Sequence, residues 1–451
     1  MGAGQTVSTG TAGVPVRSLR AEVLEGPDAG KVALSRGETI AVGTGENNDL
    51  ILTDPTVSRY HADLIGHERG VLIVDQGSTN GSIVSGVRIE RGVVPTKSTL
   101  KLGRTTLKVE DADPVTVEAF EGDELGPIVG RAPVMRRLMA QIERASRSDV
   151  SVLLHGETGT GKEVVARAIH EASPRKNGPL ETVDCGSLLP TLVASELFGH
   201  EKGAFTGAEH QHLGAFERAA GGTVFLDEIG ELPPSLQTAL LGVIERRSFR
   251  RVGGTQSISA DVRVISATHR DLRREVNAGT FRQDLFYRLA VVTLSVPPLR
   301  ERLEDIPLLV EHFLRLLGYS EPLESLLPAG TLESLGQHRW PGNVRELRNV
   351  VEASLVMGEA PVLSAESGSE TSPPRAPAPE PSANDASLDL RSVLGLPYSE
   401  ARDQVVDRFE AVYFVDLLRR HRGNVTVAAR EAKMNRTYLT RVMKRRGLER
   451  P

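Results

Sequence analysis

Nine residues, His155–Glu163 (HGETGTGKE), carry the chain's most specific chemistry. A β-rich run, Ser151-Val152-Leu153-Leu154, enters them, and an apolar-periodic run through Val164, Val165, Ala166, Ala168 and Ile169 leaves them. Gly156, Gly161 and Lys162 stand at the spacing of a phosphate-binding loop between a strand and a helix, with Glu157, Thr158, Gly159 and Thr160 between them. Glycines let several backbone N–H groups converge on one anion, which side chains would block. The helix that follows directs its positive end at the same anion, and Lys162 reaches the outer phosphates. A Gly-rich turn with a solvated Lys is the alternative; strand, loop and helix in that order argue against it. Glu163 stands where Ser or Thr usually follows the Lys, so a carboxylate must replace the hydroxyl ligand to Mg²⁺.

Four further segments offer groups to the same chemistry. Phe225-Leu226-Asp227-Glu228 delivers two carboxylates at the end of an apolar strand, where an α/β sheet puts its ligands. Asp227 suits Mg²⁺, and Glu228 suits orienting and deprotonating a water for attack on the γ-phosphate of ATP; the plainer reading is an acidic helix N-cap. Val264-Ile265-Ser266-Ala267-Thr268-His269 ends another strand, with Thr268 placed to sense the γ-phosphate. Arg282 and Arg288 are either solvated beside core-facing Leu285 and Tyr287, or arginine fingers offered to a neighbouring subunit's nucleotide. Arg345, in the first turn of a helix after Trp340-Pro341-Gly342, can close a helical lid onto the phosphates.

Positioning such groups takes an open parallel sheet covered by helices, and residues 127–363 alternate strand and helix patterns accordingly. The expected strands are Val150–Leu154, Leu180–Val183, Thr223–Leu226, Val262–Ser266 and Val291–Val296, with a lid from about residue 297. Residues 17–110 read as an all-β sandwich of short strands with turn punctuation, and 1–16 as disordered. Asp111, Asp113, Glu118, Glu121, Asp123 and Glu124 mark 111–126 as a solvated acidic linker. Residues 364–389 form a Pro/Ala/Ser-rich linker. Residues 390–451 turn helical, and helices near Thr426–Ala432 and Thr437–Arg446 make an all-α helix-turn-helix layout. From Arg419 to Pro451 there are eleven Lys and Arg against two Glu, inside a chain of net charge −5. That block implies local, salt-dependent contact with DNA. Arg436, Thr437, Tyr438, Thr440 and Arg441 sit where a recognition helix meets base edges; Arg430, Lys444, Arg445 and Arg446 suit phosphates. The length of 451 residues predicts two to four domains. The single Cys185 excludes an internal disulfide and suits a reducing cytosol. No apolar run approaches the ~18–20 residues of a membrane span, so a cytoplasmic protein with no membrane partner is expected.

Together, the loop, the paired acids and the arginines of residues 127–363 resemble the AAA+ domain of sigma-54-dependent transcription activators. The most specific element is Gly203-Ala204-Phe205-Thr206-Gly207-Ala208, which in that family engages sigma-54. Glu after the loop Lys is also the family's habit. The resemblance implies that Arg282 and Arg288 act in trans, that Thr268 and Arg345 belong to two nucleotide sensors, and that subunits assemble, usually as a hexameric ring. Within the sandwich, Val57-Ser58-Arg59-Tyr60-His61 and Asp75–Gly81 resemble the loops of a forkhead-associated domain. That likeness implies phosphothreonine held by Ser58 and Arg59, lined by Thr79, with Asn80 on the peptide backbone and His61 bracing the loop. The C-terminal segment resembles Fis-like DNA-binding domains, with its first helix as a dimer interface.

Several positions depart from these patterns. Thr44 replaces a usual Arg and removes one phosphate-side cation; Lys433 replaces a turn glycine; His269 replaces an Asn. Asp184 stands where the family has an Asn that restrains the catalytic Glu. A carboxylate there would repel Glu228 and give leakier or differently gated hydrolysis. The reading is an ATP-dependent activator of sigma-54 RNA polymerase, tethered to enhancer DNA and controlled by a phosphothreonine protein or Ser/Thr kinase. The alternatives are a DNA-bound, ATP-binding scaffold that does not remodel polymerase, and a sandwich that serves only in oligomerisation.

Overall fold

A computed structural model describes residues 11–35, 37–186, 190–319, 335–357 and 421. The expected linker at 364–389 and the expected DNA contacts Arg430, Arg436, Thr437, Tyr438, Thr440, Arg441, Lys444, Arg445 and Arg446 lie outside the described residues.

The N-terminal part is a sandwich of two sheets. One sheet runs Val32–Leu34, Thr11–Glu25, Thr105–Phe120, Ser98–Leu102, Ser82–Val84, Val87–Ile89; the other runs Leu50–Ile51, Thr39–Gly43, Ala62–His67, Gly70–Asp75, Arg91–Val94. Strand side chains alternate faces, so Leu19, Ala21 and Val23 from one sheet meet Ile40, Val42, Leu64 and Ile73 from the other in a single core. Two expectations are corrected. Residues 11–16 are not disordered and 111–120 are not linker: they pair as antiparallel strand ends, Val14 against Val117 and Val16 against Val115. The extension is anchored from below. Ala119 is buried and Phe120 packs on apolar residues beneath the second domain's sheet, while Arg144 of that domain pairs with Glu118.

The second domain is built on five parallel strands: β1 (Val152–His155), β2 (Leu180–Asp184), β3 (Thr223–Asp227), β4 (Arg263–Thr268) and β5 (Val292–Ser295), in the order β2-β3-β4-β1-β5. All five expected strands are present, with ends moved by one or two residues. Both faces are covered, which explains why the strands read as continuous apolar runs. Val152, Leu154, Phe225 and Ile265 pack under α1 (Pro133–Ser146) and α2 (Lys162–Glu171). Leu153, Val224, Leu226 and Val264 point the other way, onto α3 (Pro190–Phe198), α4 (Pro234–Arg246), α5 (Leu272–Ala278) and α6 (Gln283–Leu289). A lid follows. Ile306, Leu309 and Val310 of α7 (Ile306–Leu316) close on Leu347 and Val351 of α8 (Asn343–Met357) around the fully buried Trp340.

The sandwich rests on α5 and α6. Tyr60, 1% exposed, joins the apolar cluster of the second domain, with its ring edge-on to Phe286 at 5.5 Å. Arg273 lies 5.6 Å over the Tyr60 ring and pairs with Asp63 at 2.8 Å. Asn277 Nδ2 donates to the carbonyls of Tyr60 (2.6 Å) and Gln76 (2.9 Å), and Arg274 donates to the carbonyl of Asp75 at 2.6 Å. Among the described residues no helix is long and apolar enough to cross a membrane.

Candidate active site

Gly161, at φ 101°, turns the chain into α2, a conformation costly for any residue with a Cβ. Lys162 then opens the helix almost fully buried. Its ammonium donates to the carbonyls of Gly156 (2.9 Å) and Glu157 (3.3 Å) and lies 3.6 Å from Glu228 Oε1. Thr160 Oγ1 closes the loop by donating to the Glu157 carbonyl at 2.8 Å. Thus Thr160 and Lys162 close Gly156 through Lys162 into one turn at the end of β1.

The lid reaches this loop directly. Asn343 Nδ2 donates to the Thr158 carbonyl (3.0 Å) and to Glu157 Oε2 (3.2 Å), and Arg345 N donates to the Gly159 carbonyl at 3.2 Å. Arg300 grips Glu157 with two bonds of 2.6 and 2.8 Å, holding that carboxyl below the usual range. Arg302 donates to the Thr160 carbonyl at 2.9 Å; burial lowers its guanidinium to about 10. The approach is close enough that a Cβ on Gly159 would meet the Gly342 carbonyl at 2.3 Å. Arg345 reaches the loop with its backbone, and its side chain is exposed.

The acids stand where the strand placed them. Asp227 ends β3 in register with Asp184 of β2. Burial raises the Asp227 carboxyl; a hydrogen bond from Glu228 N works against this, and the Glu228 charge adds to it. Glu228 follows at φ 49°, a left-handed backbone unusual for a side-chain-bearing residue. Its Oε2 lies 2.6 Å from His269 Nδ1 and 3.3 Å from His269 N. An ionised carboxylate only accepts, so the imidazole donates. His269 thus holds the Glu228 carboxylate, and Asp184 Oδ1 accepts from Gly186 N at 2.9 Å. Thr268 lies opposite His155 in the parallel ladder. It meets the loop through its carbonyl, which accepts from Gly156 N at 3.3 Å, while its buried hydroxyl accepts from Arg270 N at 3.0 Å.

Among the described residues no three His, Cys, Asp or Glu side chains are grouped to hold a metal ion alone. Mg²⁺ at nucleotide sites needs only one or two carboxylates besides phosphates and water. Asp227, whose charge is disfavoured by burial, fits that role. Glu163 is exposed in the first turn of α2, 3.8 Å from Arg167. Cys185 is buried and its thiol pushed up to about 12, so it is chemically quiet.

Arg282 and Arg288 are about half exposed at opposite ends of α6. Arg282 pairs with Asp284 through 2.7 and 3.0 Å bonds, and Arg288 lies 3.4 Å from Glu245. The Gly203–Ala208 segment forms a tight loop: Gly203 N donates to the Ala208 carbonyl (2.8 Å), and Gly203 and Gly207 have φ of 82° and 99°. Phe205 is edge-on to His200 at 4.9 Å, and Thr206 and Gly207 are exposed. In the sandwich, His61 ties the two expected ligand loops together: Nδ1 accepts from Ser58 N (3.1 Å) and Nε2 meets the Gly81 carbonyl (3.2 Å). Ser58 Oγ accepts from Thr79 N at 3.0 Å, and Arg59, Thr79 and Asn80 are exposed. Asn80 donates to the Thr56 carbonyl at 2.7 Å.

Sequence reasoning missed the clasp of Asn343, Arg300 and Arg302 on the loop, and the His269 contact. The available signal was a polar Asn directly after Pro-Gly at a helix start, and a His directly after a strand-end Thr.

A phosphate loop after β1, paired acids at the end of β3 and a helical lid on the loop define a P-loop ATPase of the AAA+ kind. The sigma-54 interaction domain model matches residues 128–295, and the AAA+ ATPase lid domain model matches 300–381. The model described as the cytoplasmic domain of an inner membrane component of T3SS matches residues 22–113, and that description names no phosphopeptide. The DNA-binding transcriptional regulator NtrC of Azospirillum brasilense is 43% identical over 338 residues, covering 71% of this chain and 70% of that protein. The transcriptional regulatory protein ZraR of Escherichia coli (strain K12) is 45% identical over 314 residues, covering 69% and 67%. The Nif-specific regulatory protein of Azotobacter vinelandii is 48% identical over 270 residues, covering 58% and 52%. The chain belongs to the sigma-54-dependent transcriptional regulators.

Proposed function

We propose that this chain is an ATP-driven activator that remodels sigma-54 RNA polymerase through its Gly203–Ala208 loop, working as a homo-oligomeric ring, hexameric and built from dimers. The observation that carries the reading is an intact Gly-flanked Phe205-Thr206, with Thr206 exposed and Phe205 half-buried against His200, on an ATPase domain that brings Glu228 to Lys162 of the phosphate loop. The loop N–H groups and Lys162 bind the phosphates of ATP. Glu228 orients the attacking water and takes its proton. Arg282 and Arg288 come from the neighbouring subunit to neutralise charge on the γ-phosphate, Thr268 senses that group, and Arg345 closes the lid over it. Mg²⁺, held by Asp227 with Glu163 as its second protein ligand, would neutralise phosphate charge.

The base of the loop supports transmission of motion. Arg251 pairs at once with Glu201 before the loop (2.8 Å) and Glu217 after it (2.6 Å), which ties both flanks to one guanidinium. Residues 390–451 tether the ring to enhancer DNA. The sandwich reads a phosphothreonine through Ser58, Arg59, Thr79 and Asn80, whose two loops His61 fixes as one surface.

The test is Thr206→Ala. ATP turnover is expected to survive while transcription from a sigma-54 promoter in vitro disappears; wild-type transcription would refute the role of the loop.

A further inference from the structure

We propose that His269 is the positioning residue for Glu228, an inference that rests on Glu228 being the base. Glu228 lies one residue beyond β3, at φ 49° and ψ 47°. A side-chain-bearing residue stays in that region only where its surroundings over-determine it. The parallel register brings the partner alongside. Leu226 faces Ser266, so the residues just past each strand emerge together at the sheet's C-terminal edge. There, both donors of His269 converge on one oxygen: Nδ1 at 2.6 Å and the backbone N at 3.3 Å from Glu228 Oε2. With Oε2 occupied, the other oxygen, Oε1, is turned toward Lys162 Nζ at 3.6 Å, which is the phosphate side. One face of the carboxylate is thus anchored and the other presented to the place where the γ-phosphate and its water belong. His269 does not touch the reacting atoms; it fixes which oxygen receives the proton. The imidazole is 43% exposed, so its removal leaves no cavity in the core.

The experiment is steady-state ATP hydrolysis by the full chain, comparing wild type, His269→Ala, His269→Asn and Glu228→Gln. His269→Ala should lower kcat about tenfold, the worth of one charge-assisted hydrogen bond, with KM for ATP within about twofold, because the phosphate grip of Lys162 is untouched. His269→Asn keeps a side-chain donor and should recover most of kcat, which a loss of mere folding would not allow. Glu228→Gln should abolish turnover. If Glu228→Gln is inactive yet His269→Ala turns over at or above the wild-type rate, the positioning role is overturned while the base stands. If Glu228→Gln hydrolyses ATP normally, the base assignment itself falls, and this inference with it.

Discussion

At the scale of single residues, the phosphate loop is held from outside as much as from within. Glu157, near the start of the loop, is where Arg300 attaches and one of the two points where Asn343 does. The ion pair is half exposed on both partners, so its contribution to overall stability is modest; its effect is geometric, keeping the lid on the loop. The Glu157 carboxyl is lowered in the folded state, chiefly by Arg300. A depressed folded value means that the stabilisation is present above the unfolded carboxylate value, about 4.3, and is lost as pH falls through the lower folded value. The melting temperatures of wild type and Arg300→Ala should therefore differ at about pH 6 and converge toward about pH 3. A difference that widens in acid would show that the clasp is not this ion pair.

At the scale of elements, α5 decides where the sandwich sits. Its Asp271 N-cap, accepting from Arg273 N and Arg274 N, sets a short helix whose Arg273, Arg274 and Asn277 all turn to the sandwich. Their partners are Asp63 and the backbone of residues 60, 75 and 76, next to the expected ligand residues Ser58, Arg59 and Thr79. The sandwich end that would bind a phosphopeptide is thus the end that meets the ATPase. Tyr60 supplies the apolar anchor. Tyr60→Ala should remove roughly 3–5 kcal/mol of packing, the usual cost of deleting a buried aromatic. Hydrogen exchange in Leu272–Ala278 should then quicken while the sandwich strands stay protected. Unchanged exchange in α5 would show that the domains are held together elsewhere. Residues 11–16 and 111–120 pair as strand ends. Their valines alternate, but the charges between them resemble a solvated linker; only the ladder and the buried Ala119 distinguish the two.

For the whole molecule, the expected arginine fingers give a test that needs no structure of the assembly. Arg282 and Arg288 project from α6 with about half of each side chain exposed, Arg282 already splayed by its pairing with Asp284. If they complete a neighbour's site, Arg282→Ala protein should be nearly inactive alone. So should Lys162→Ala protein, which lacks the phosphate grip. Mixing the two should restore a measurable part of the ATPase rate, because some interfaces then join an intact loop to an intact arginine. No recovery on mixing, or full activity of Arg282→Ala at high dilution, would overturn catalysis in trans.

The sequence by itself determined the parts whose information is local. The phosphate loop, the strand that delivers Asp227 and Glu228, the Gly203–Ala208 loop and the alternating strands of the sandwich each depend on a few neighbouring residue types and their spacing. Only the tertiary structure decided which distant residues meet: His269 with Glu228 across adjoining strand ends, Asn343 and Arg300 with the phosphate loop, and Tyr60 with Phe286. Those contacts bridge tens to hundreds of residues, and they follow from strand register and domain packing, which no short window of sequence encodes.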